Sequence, residues 1–318
     1  MISKSTSGLS TLVIGGGVYI GHFLVEQLLA SGRRVTVLGR SSLPRYKVPT
    51  GATYLSGDFA QKALICSVLD THQEVIHLAY ATVPNTSFQN PLADLEQNLS
   101  ATVQLFDEVA RRQLKLVLVS SGGTVYGEAL SLPIDEQHPT KPISPYGVTK
   151  LTLESYAYLY AHTHNLQFTC VRPANAYGIG QRPFIGQGFI ATAIASSMKG
   201  SSVKIFGTAG TIRDYLYVSD MASGIYHALE NGKLSEIYNL GSGVGFSNMD
   251  VINKIKPLMK EIKCEVHVEH LPERGFDVNA NVMNSEKLKT DTGWEPKVGF
   301  EAGLINTRDW LWRTKNDY

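Results

Sequence analysis

Cysteine is scarce in this chain of 318 residues, and the three cysteines that occur are far apart. Cys66, Cys170 and Cys264 are odd in number and include no C-x-x-C pair, so they predict neither a disulfide framework nor a cysteine-based zinc site. Unpaired thiols are typical of proteins in a reducing compartment. We therefore expect a cytoplasmic protein.

Long apolar runs are missing as well. No stretch is long enough to cross a bilayer, and the opening residues 1–7 are polar with no apolar signal core after them. The sequence therefore predicts no membrane association and no secretory leader.

An excess of charge of one sign is also absent. Lys and Arg together number 29 against 28 for Asp and Glu, and the basic residues are scattered. Because binding to a nucleic acid backbone needs a clustered basic excess, no nucleic-acid partner is expected. The nine histidines show no H-E-x-x-H or comparable spacing, so we expect no metal site.

What the sequence does have is a regular alternation of apolar strand-like segments and helical segments. The predicted strands are Leu9 to Ile14, Arg33 to Leu38, Ala52 to Leu55, Glu74 to Ala79, Lys115 to Ser120, Gln167 to Val171, Val203 to Phe206 and Glu236 to Leu240. A long helix is predicted over residues 91–112, where apolar residues recur at helical spacing. This alternation predicts an α/β fold, a doubly wound parallel sheet with helices on both faces.

The first predicted strand runs into a glycine-rich turn. Gly15, Gly16, Gly17 and Gly21 lie between this strand and an amphipathic stretch that ends at Ala30. A strand, a glycine-rich turn and a helix form the first unit of a dinucleotide-binding fold, because the turn lets a pyrophosphate approach the amides of the helix N-terminus. A simple tight turn is the alternative, but both flanks favour nucleotide binding.

A tyrosine and a lysine four residues apart form a candidate catalytic pair. Ser144 is a good N-cap and Pro145 suits the first helical position, so we expect a helix to begin here with Tyr146 and Lys150 on one face. A nearby ammonium favours the phenolate and lowers the tyrosine pKa, which suits proton transfer to or from an alcohol. The alternative is a surface helix with an incidental Tyr and Lys.

Further motifs accompany the glycine-rich turn and the Tyr146/Lys150 pair. They are Gly57-Asp58, His77-Leu78-Ala79, Asn98, Ser120 to Gly127, Arg172 to Gly178, Arg213 to Val218 and Arg274 to Val278. In this order the motifs resemble the extended short-chain dehydrogenase/reductases that act on nucleotide sugars, the NAD(P)-dependent epimerase/dehydratase family that includes the UDP-glucose 4-epimerases. The resemblance runs from Thr11 to Trp310. It implies a Rossmann fold, a nucleotide-diphosphate sugar as ligand and a homodimer.

The resemblance also implies roles for individual residues. The implied cofactor contacts are Gly15, Gly17, Tyr19, Ile20, Gly21, Arg40, Ser41, Asp58, Phe59, Leu78, Ala79, Tyr80, Asn98, Ser120, Tyr146, Lys150 and Pro173. The implied substrate contacts are Thr124, Asn175, Arg213, Arg274 and Asp277. Two arginines and an amide suit a dianionic pyrophosphate, although Arg213 has the alternative of pairing with Asp214 or Asp220.

The sequence departs from the family pattern at the third catalytic position. The family serine, which hydrogen-bonds the reacting oxygen, aligns with Gly122, which has no hydroxyl. Thr124 and Ser121 are the remaining catalytic candidates, and we prefer Thr124 because the two glycines before it allow the loop to re-aim. The alternative is that Thr124 only satisfies loop amides. A second departure is Val18, where the family has the middle glycine of the turn.

The end of the second predicted strand bears on the choice of cofactor. Members that prefer NAD have an acidic residue there that binds the adenosine ribose, and this chain has Gly39 followed by Arg40. Without a carboxylate nothing repels a 2′-phosphate, and a guanidinium pairs well with phosphate oxygens. We therefore expect NADP(H), with NAD(H) as the alternative if Arg40 is only solvated.

These expectations combine into a domain division and a function. Beyond Gly178 the pattern loosens, so we expect a dinucleotide-binding domain at residues 1–174 and a smaller α+β substrate-binding region at 175–318, with segments around 203–240 returning to the main sheet. An exchangeable NADPH suits reduction of a 4-keto nucleotide sugar at carbon 4, with Tyr146 as acid or base. The alternatives are an NAD-dependent UDP-hexose 4-epimerase and a non-catalytic NADP-sensing module.

Overall fold

A computed structural model describes residues 8–274 and 277–315 of the chain. The polar opening segment, residues 1–7, lies outside the described residues, and so do Gly275 and Phe276 of the motif that begins at Arg274. All three cysteines lie in the described part, and none of them forms a disulfide.

Strands and helices alternate along most of the described chain. The strands are β1 (Ser10–Ile14), β2 (Arg34–Gly39), β3 (Thr53–Ser56), β4 (Glu74–His77), β5 (Lys115–Val119), β6 (Gln167–Pro173), β7 (Asn175–Tyr177), β8 (Val203–Phe206), β9 (Ile212–Tyr217), β10 (Glu236–Leu240), β11 (Gly245–Ser247), β12 (Val268–Leu271) and β13 (Ala280–Asn281). The helices are α1 (Tyr19–Ala30), α2 (Lys62–Leu69), α3 (Pro84–Gln89), α4 (Pro91–Arg111), α5 (Gly122–Val125), α6 (Pro145–His164), α7 (Phe189–Met198), α8 (Val218–Asn231), α9 (Asn248–Glu261), α10 (Glu286–Thr292) and α11 (Phe300–Arg313).

The main sheet has the strand order β10-β6-β5-β4-β1-β2-β3. Every neighbouring pair in it is parallel. The direction of winding reverses between β1 and β4, and in such sheets ligands bind outside the carboxyl ends of the strands at the point of reversal. The predicted doubly wound parallel sheet is therefore confirmed.

Helices cover both faces of this sheet with separate apolar cores. On one face α1 and α8 pack against side chains such as Val13 and Val37, and on the other α2, α4 and α6 pack against side chains such as Leu12 and Leu116. Successive residues of a strand point to opposite faces, so both sets along β1 are buried. This is why the strands read as nearly continuous apolar runs.

After β6 the chain builds a second region and returns to the main sheet. A small sheet of β7, β9, β11 and β13 packs with α7, α9 and α11, while β10 joins the main sheet beside β6, as expected for its segment. The same expectation for Val203–Phe206 is wrong, because β8 pairs with β12 in a two-stranded sheet. Lys204 is exposed between buried neighbours, a pattern that suits a sheet open on one face.

Side-chain caps place the first turns of α4 and α6 next to each other. The Ser144 hydroxyl accepts a hydrogen bond from the Gly147 amide at 3.1 Å, as predicted, and the Asn90 side chain accepts one from the Ala93 amide at 3.0 Å. The two helices pack together. Their first turns therefore bring residues from both helices to the carboxyl edge of the sheet.

The described helices are too short or too polar to span a bilayer. The longest, α4, has 21 residues, but charged residues such as Asp94 and Glu96 interrupt its apolar positions. In residues 8–274 and 277–315, no helix is both long enough and apolar enough to cross a membrane.

Candidate active site

A cavity of about 1630 Å³ lies at the carboxyl edge of the main sheet, between the sheet and the second region. Of the site residues predicted from the sequence, all but Gly21 line this cavity. Gly21 lies beneath it, where a Cβ atom would collide with the backbone of Gly16. The fold therefore brings residues that are far apart in the sequence to a single cleft.

The glycine-rich turn between β1 and α1 approaches its neighbours too closely for side chains. Gly15 has a positive φ of 84°, and a Cβ atom there would lie 2.7 Å from the backbone of Ala79. Helix α1 has 12 residues and no side-chain cap at its N-terminus, where Tyr19 and Ile20 line the cavity. The Val18 side chain is 45% exposed, so it does not fill the turn. The turn therefore fits a dinucleotide pyrophosphate.

Tyr54 covers the end of β2, at the position where NAD-preferring members of the family have an acidic residue and this chain has Gly39. Its hydroxyl donates a hydrogen bond to the Ser41 carbonyl at 2.7 Å, and a Cβ atom on Gly39 would lie 2.8 Å from the Tyr54 oxygen. Arg40 is exposed at the cavity rim beside it. A side chain at position 39 would thus force the Tyr54 phenol to shift, a contact that the sequence did not reveal.

The loop after β2, residues 40–49, crosses the glycine-rich turn. The Tyr46 amide donates to the Gly17 carbonyl at 3.3 Å, and the Tyr46 hydroxyl donates to the Gly180 carbonyl at 2.6 Å. The Arg182 guanidinium lies 5.6 Å from the centre of the Tyr46 ring. This crossing loop therefore joins the sheet side of the cavity to the segment after β7, and sequence reasoning missed it because loops carry no periodic pattern.

Tyr146 lies in the first turn of α6 with its phenol at the cavity. Burial raises the pKa of Tyr146, and a hydrogen bond with the Ser121 side chain acts in the opposite direction. Thr124, the hydroxyl preferred from the sequence, is buried with no hydrogen-bond partner among the described residues. The geometry thus brings Ser121 to the phenol and leaves Thr124 as an unsatisfied donor in the cavity wall.

The structure explains why position 122 has glycine in place of the family serine. A Cβ atom at Gly122 would lie 2.6 Å from the Met283 sulfur, 2.9 Å from the Arg172 carbonyl oxygen and 3.1 Å from the Pro173 carbonyl oxygen. Two of these three contacts are backbone atoms of β6, which cannot rotate away. Glycine is therefore the residue that lets the first turn of α5 pack on β6.

Lys150 lies one turn further along α6 and is buried. Its ammonium donates to the Val119 carbonyl at 2.8 Å and lies 4.1 Å from the centre of the Tyr80 ring, against 5.8 Å for Tyr146. Burial lowers the pKa of Lys150 to about 8, and nearby acidic groups offset part of that shift. The expected lowering of the Tyr146 pKa by Lys150 is thus absent in this arrangement, because the ammonium faces Tyr80.

Asn98 and His77 support the loop that follows β4. The Asn98 side chain accepts from the Ala81 amide at 2.8 Å and donates to the Asp94 carbonyl at 2.7 Å. His77 lies 3.0 Å from the Thr102 hydroxyl, and burial lowers its pKa to about 3. His77 is therefore a neutral side chain packed in the core, as the sequence indicated. Among the described residues, no group of three His, Cys, Asp or Glu side chains is arranged to hold a metal ion.

The other end of the cavity collects the residues expected to contact substrate, namely Asn175, Arg213, Arg274 and Asp277. Burial lowers the pKa of Arg213, and the Arg274 guanidinium lies 3.4 Å from the centre of the Phe206 ring. The carboxylates offered as alternative partners of Arg213 bind backbone amides instead. Asp214 accepts from Ser242, Gly243 and Met283, and Asp220 accepts from Lys297 and Val298.

A buried ion pair that sequence reasoning missed joins α6 to the main sheet. Arg172 at the end of β6 contacts Glu154 on α6 at 2.5 Å and donates to the Tyr126 hydroxyl at 2.8 Å. The Ser120 hydroxyl, expected to contact cofactor, donates to Glu154. The signal available in the sequence was the i, i+4 spacing of Lys150 and Glu154, which puts both on one helix face.

Comparison with known proteins agrees with this geometry. The sequence model of the NAD dependent epimerase/dehydratase family matches residues 11–241. The UDP-glucose 4-epimerase of Halalkalibacterium halodurans is 30% identical, over 98% of this chain and 97% of that protein. The crystal structure of the Thermotoga maritima UDP-glucose 4-epimerase with UDP-glucose has a TM-score of 0.89 at 30% identity, covering 96% of this chain and 100% of that one. The crystal structure of the Thermus thermophilus UDP-glucose 4-epimerase with NAD has a TM-score of 0.87 at 31% identity, and the match covers 96% of this chain and 99% of that one.

Lys150→Met is expected to stabilise the protein at neutral pH, because it removes a buried ammonium. The folded pKa of about 8 lies below the ordinary lysine value, so the unfolded state binds more protons between these values and wild-type stability rises with pH from about 8 to about 10. The lost hydrogen bond to Val119 offsets part of the gain, leaving about 1–2 kcal/mol at pH 7.

Urea unfolding at pH 7 and pH 10 measures this effect. The advantage of Lys150→Met should shrink at the higher pH, whereas Lys256→Met, at an exposed position of α9, should show no such change. A Lys150→Met variant that is less stable than wild type at both pH values would contradict the expected burial cost.

Proposed function

Because the chain belongs to the NAD-dependent epimerase/dehydratase family, we propose that it is a 4-epimerase that interconverts the two carbon-4 epimers of a UDP-hexose with bound NAD. Relatives named UDP-glucose 4-epimerase match it over nearly the whole chain. The observation that carries the proposal is the cavity that holds the glycine-rich turn, the Tyr146 phenol and two arginines in one space. The family is one of nucleotide-sugar enzymes, so an enzymatic role is established at that level.

The residues of the cavity divide the chemistry among them. The Tyr146 phenolate takes the proton of the sugar hydroxyl and later returns it to the keto oxygen, while the Ser121 hydroxyl bonds the phenol and reduces the cost of its ionisation. NAD held at the glycine-rich turn would supply the hydride acceptor for oxidation at carbon 4 and, once reduced, the donor for the return step. Arg213 and Arg274 bind the diphosphate through charge-assisted hydrogen bonds.

The enclosure of the glycine-rich turn by the crossing loop supports the epimerase over the reductase. An epimerase returns to its starting redox state in each turnover and has no need to exchange its cofactor, whereas a net reductase must release the oxidised form. The crossing loop is joined by Tyr46 to Gly17 and to Gly180, which encloses the glycine-rich turn. We therefore expect NAD to stay bound through purification, which mass spectrometry of the nucleotide released on denaturation measures.

A specific observation keeps NADPH-dependent reduction of a 4-keto sugar nucleotide as the second candidate. Gly39 provides no carboxylate to repel a 2′-phosphate, and Arg40 is exposed at the rim beside it. The Thermus thermophilus UDP-glucose 4-epimerase is solved with NAD, which supports the epimerase. The non-catalytic sensing module ranks last, because Tyr146 and Lys150 both line the cavity.

Tyr146→Phe is expected to lower turnover by about 10²–10⁴-fold, because only the ionisable oxygen is removed. Binding of NAD and of UDP-hexose should stay near wild type. Chromatographic separation of UDP-glucose from UDP-galactose follows turnover, and calorimetry follows binding. The matched control is Tyr226→Phe, a phenol on α8 that does not line the cavity. Turnover at the wild-type rate in Tyr146→Phe would remove this residue from the chemistry.

Arg40→Ala tests the cofactor preference. If Arg40 binds a 2′-phosphate, the variant should lose about tenfold in NADPH affinity and little in NADH affinity. This loss is at the low end for a hydrogen bond to a charged group because the site is exposed. Fluorescence titration of both cofactors measures this, with Arg34→Ala at the opposite end of β2 as the control. Equal affinities in the wild type, or no selective loss, would leave Arg40 solvated and favour the epimerase.

We further propose a homodimer through α4 and α6. Leu92 of α4 and Tyr158 and Leu159 of α6 are exposed by 68%, 66% and 48%. Leu159→Glu should raise the monomer fraction in light scattering at micromolar concentration, whereas Leu130→Glu, in an exposed loop, should not. A wild-type protein that is monomeric under these conditions would end the dimer proposal.

A further inference from the structure

A second phenol packs against the Tyr146/Lys150 pair. The rings of Tyr80 and Tyr146 meet edge to face, with centres 4.8 Å apart at 69°. The Lys150 ammonium lies 4.1 Å from the centre of the Tyr80 ring, a distance at which ring and cation attract each other. Tyr80 thus contacts both members of the pair, although it entered the sequence analysis only as a cofactor contact in the loop after β4.

A buried carboxylate anchors this phenol. Asp94, in the first turn of α4, is 0% exposed. One of its oxygens accepts from the Thr149 hydroxyl at 2.6 Å and from the Tyr80 hydroxyl at 3.4 Å, and the other accepts from the Thr82 hydroxyl. Carboxylates are rarely buried without a compensating partner, and here three hydroxyls provide it. The carboxylate therefore connects α4, α6 and the loop after β4.

The place of Thr149 in the chain gives this connection a consequence for the reaction. Thr149 directly precedes Lys150, so its bond to Asp94 limits rotation of the turn of α6 that carries the ammonium. The bonds of Tyr80 and Thr82 to the same carboxylate limit movement of the ring that faces Lys150. Both constraints act on atoms beside the catalytic pair.

We propose that Asp94 and Tyr80 are positioning residues for catalysis: the carboxylate fixes the Tyr80 ring and the Thr149 turn, and the ring holds the Lys150 ammonium beside the Tyr146 phenol. The assignment of roles to Tyr146 and Lys150 rests on the proposed function. Neither Asp94 nor Tyr80 needs to touch the reacting carbon for this role. The free-energy cost of burying the Asp94 carboxylate is offset, in this proposal, by the fixed positions of Tyr80 and Thr149.

The electrostatic consequence has a definite sign. Burial is the largest influence on the pKa values of Tyr146 and Lys150, and the Asp94 charge raises both. Lys150 is also faced by Glu154 of its own helix, by Cys170 of β6 and by neutral His77 of β4. Removing the Asp94 charge should therefore lower both pKa values while these other groups stay in place.

Asp94→Asn and Tyr80→Phe test the proposal in the enzyme with its cofactor bound. We expect kcat to fall by about 10-fold to 100-fold with KM nearly unchanged, because a misplacement of about 1 Å costs rate rather than binding. In Asp94→Asn the rising limb of the pH profile of kcat should also move to lower pH. Asp107→Asn, which removes a carboxylate from the far end of α4, is the matched control. An unchanged kcat and pH profile in folded Asp94→Asn would overturn the proposal.

A second measurement does not depend on turnover. Lysine labelled with ¹³C at Cε reports the pKa of Lys150 by NMR, with the signal assigned from Lys150→Met. Asp94→Asn and Tyr80→Leu should both lower this pKa, and Asp107→Asn should not. If Asp94→Asn does not fold, Tyr80→Leu carries the test. Wild-type titration in the folded variants would overturn the positioning role, whereas an enzyme inactive on UDP-hexoses that still shows the shift would overturn only the proposed reaction.

Discussion

The buried ion pair of Arg172 and Glu154 is the interaction on which the placement of α6 against the main sheet depends. It joins the end of β6 to the middle of α6. Ser120, directly after β5, bonds Glu154, and Tyr126, directly after α5, bonds Arg172. Removing one partner of such a pair leaves an uncompensated buried charge and costs about 3–5 kcal/mol. The position of Tyr146 and Lys150 over the sheet thus depends on a pair that does not itself react.

Burial of Tyr146 and Lys150 disfavours their charged forms, the phenolate and the ammonium, on which the proposed chemistry depends. Desolvation raises the pKa of Tyr146 and lowers that of Lys150, so burial favours the neutral forms of the phenol and of the amine. Ser121 and Asp94 act on these residues through a hydrogen bond and a buried charge. A site built in this way gives up stability in order to hold groups that become useful once cofactor and substrate are present.

Much of the fold and part of the site were predictable because their causes are local. Apolar strands buried on both faces gave continuous runs, so the alternation of strands and helices predicted the doubly wound sheet. The cap at Ser144 predicted where α6 begins, and the i, i+4 spacing predicted that Tyr146 and Lys150 share a face. Parallel strands end at one edge, which is why motifs from across the chain line one cavity.

The sequence by itself determined the order of elements, the glycine-rich turn and the shared helix face of Tyr146 and Lys150, since each depends on neighbours within a few residues. Only the tertiary structure decided that Ser121 rather than Thr124 reaches the phenol, that Lys150 faces Tyr80, and that Val203–Phe206 leaves the main sheet. These outcomes depend on contacts between segments distant in sequence. The physical reason is that a hydrogen bond or a ring contact is decided by differences of about 1 Å, which hydrophobic period and residue spacing do not specify.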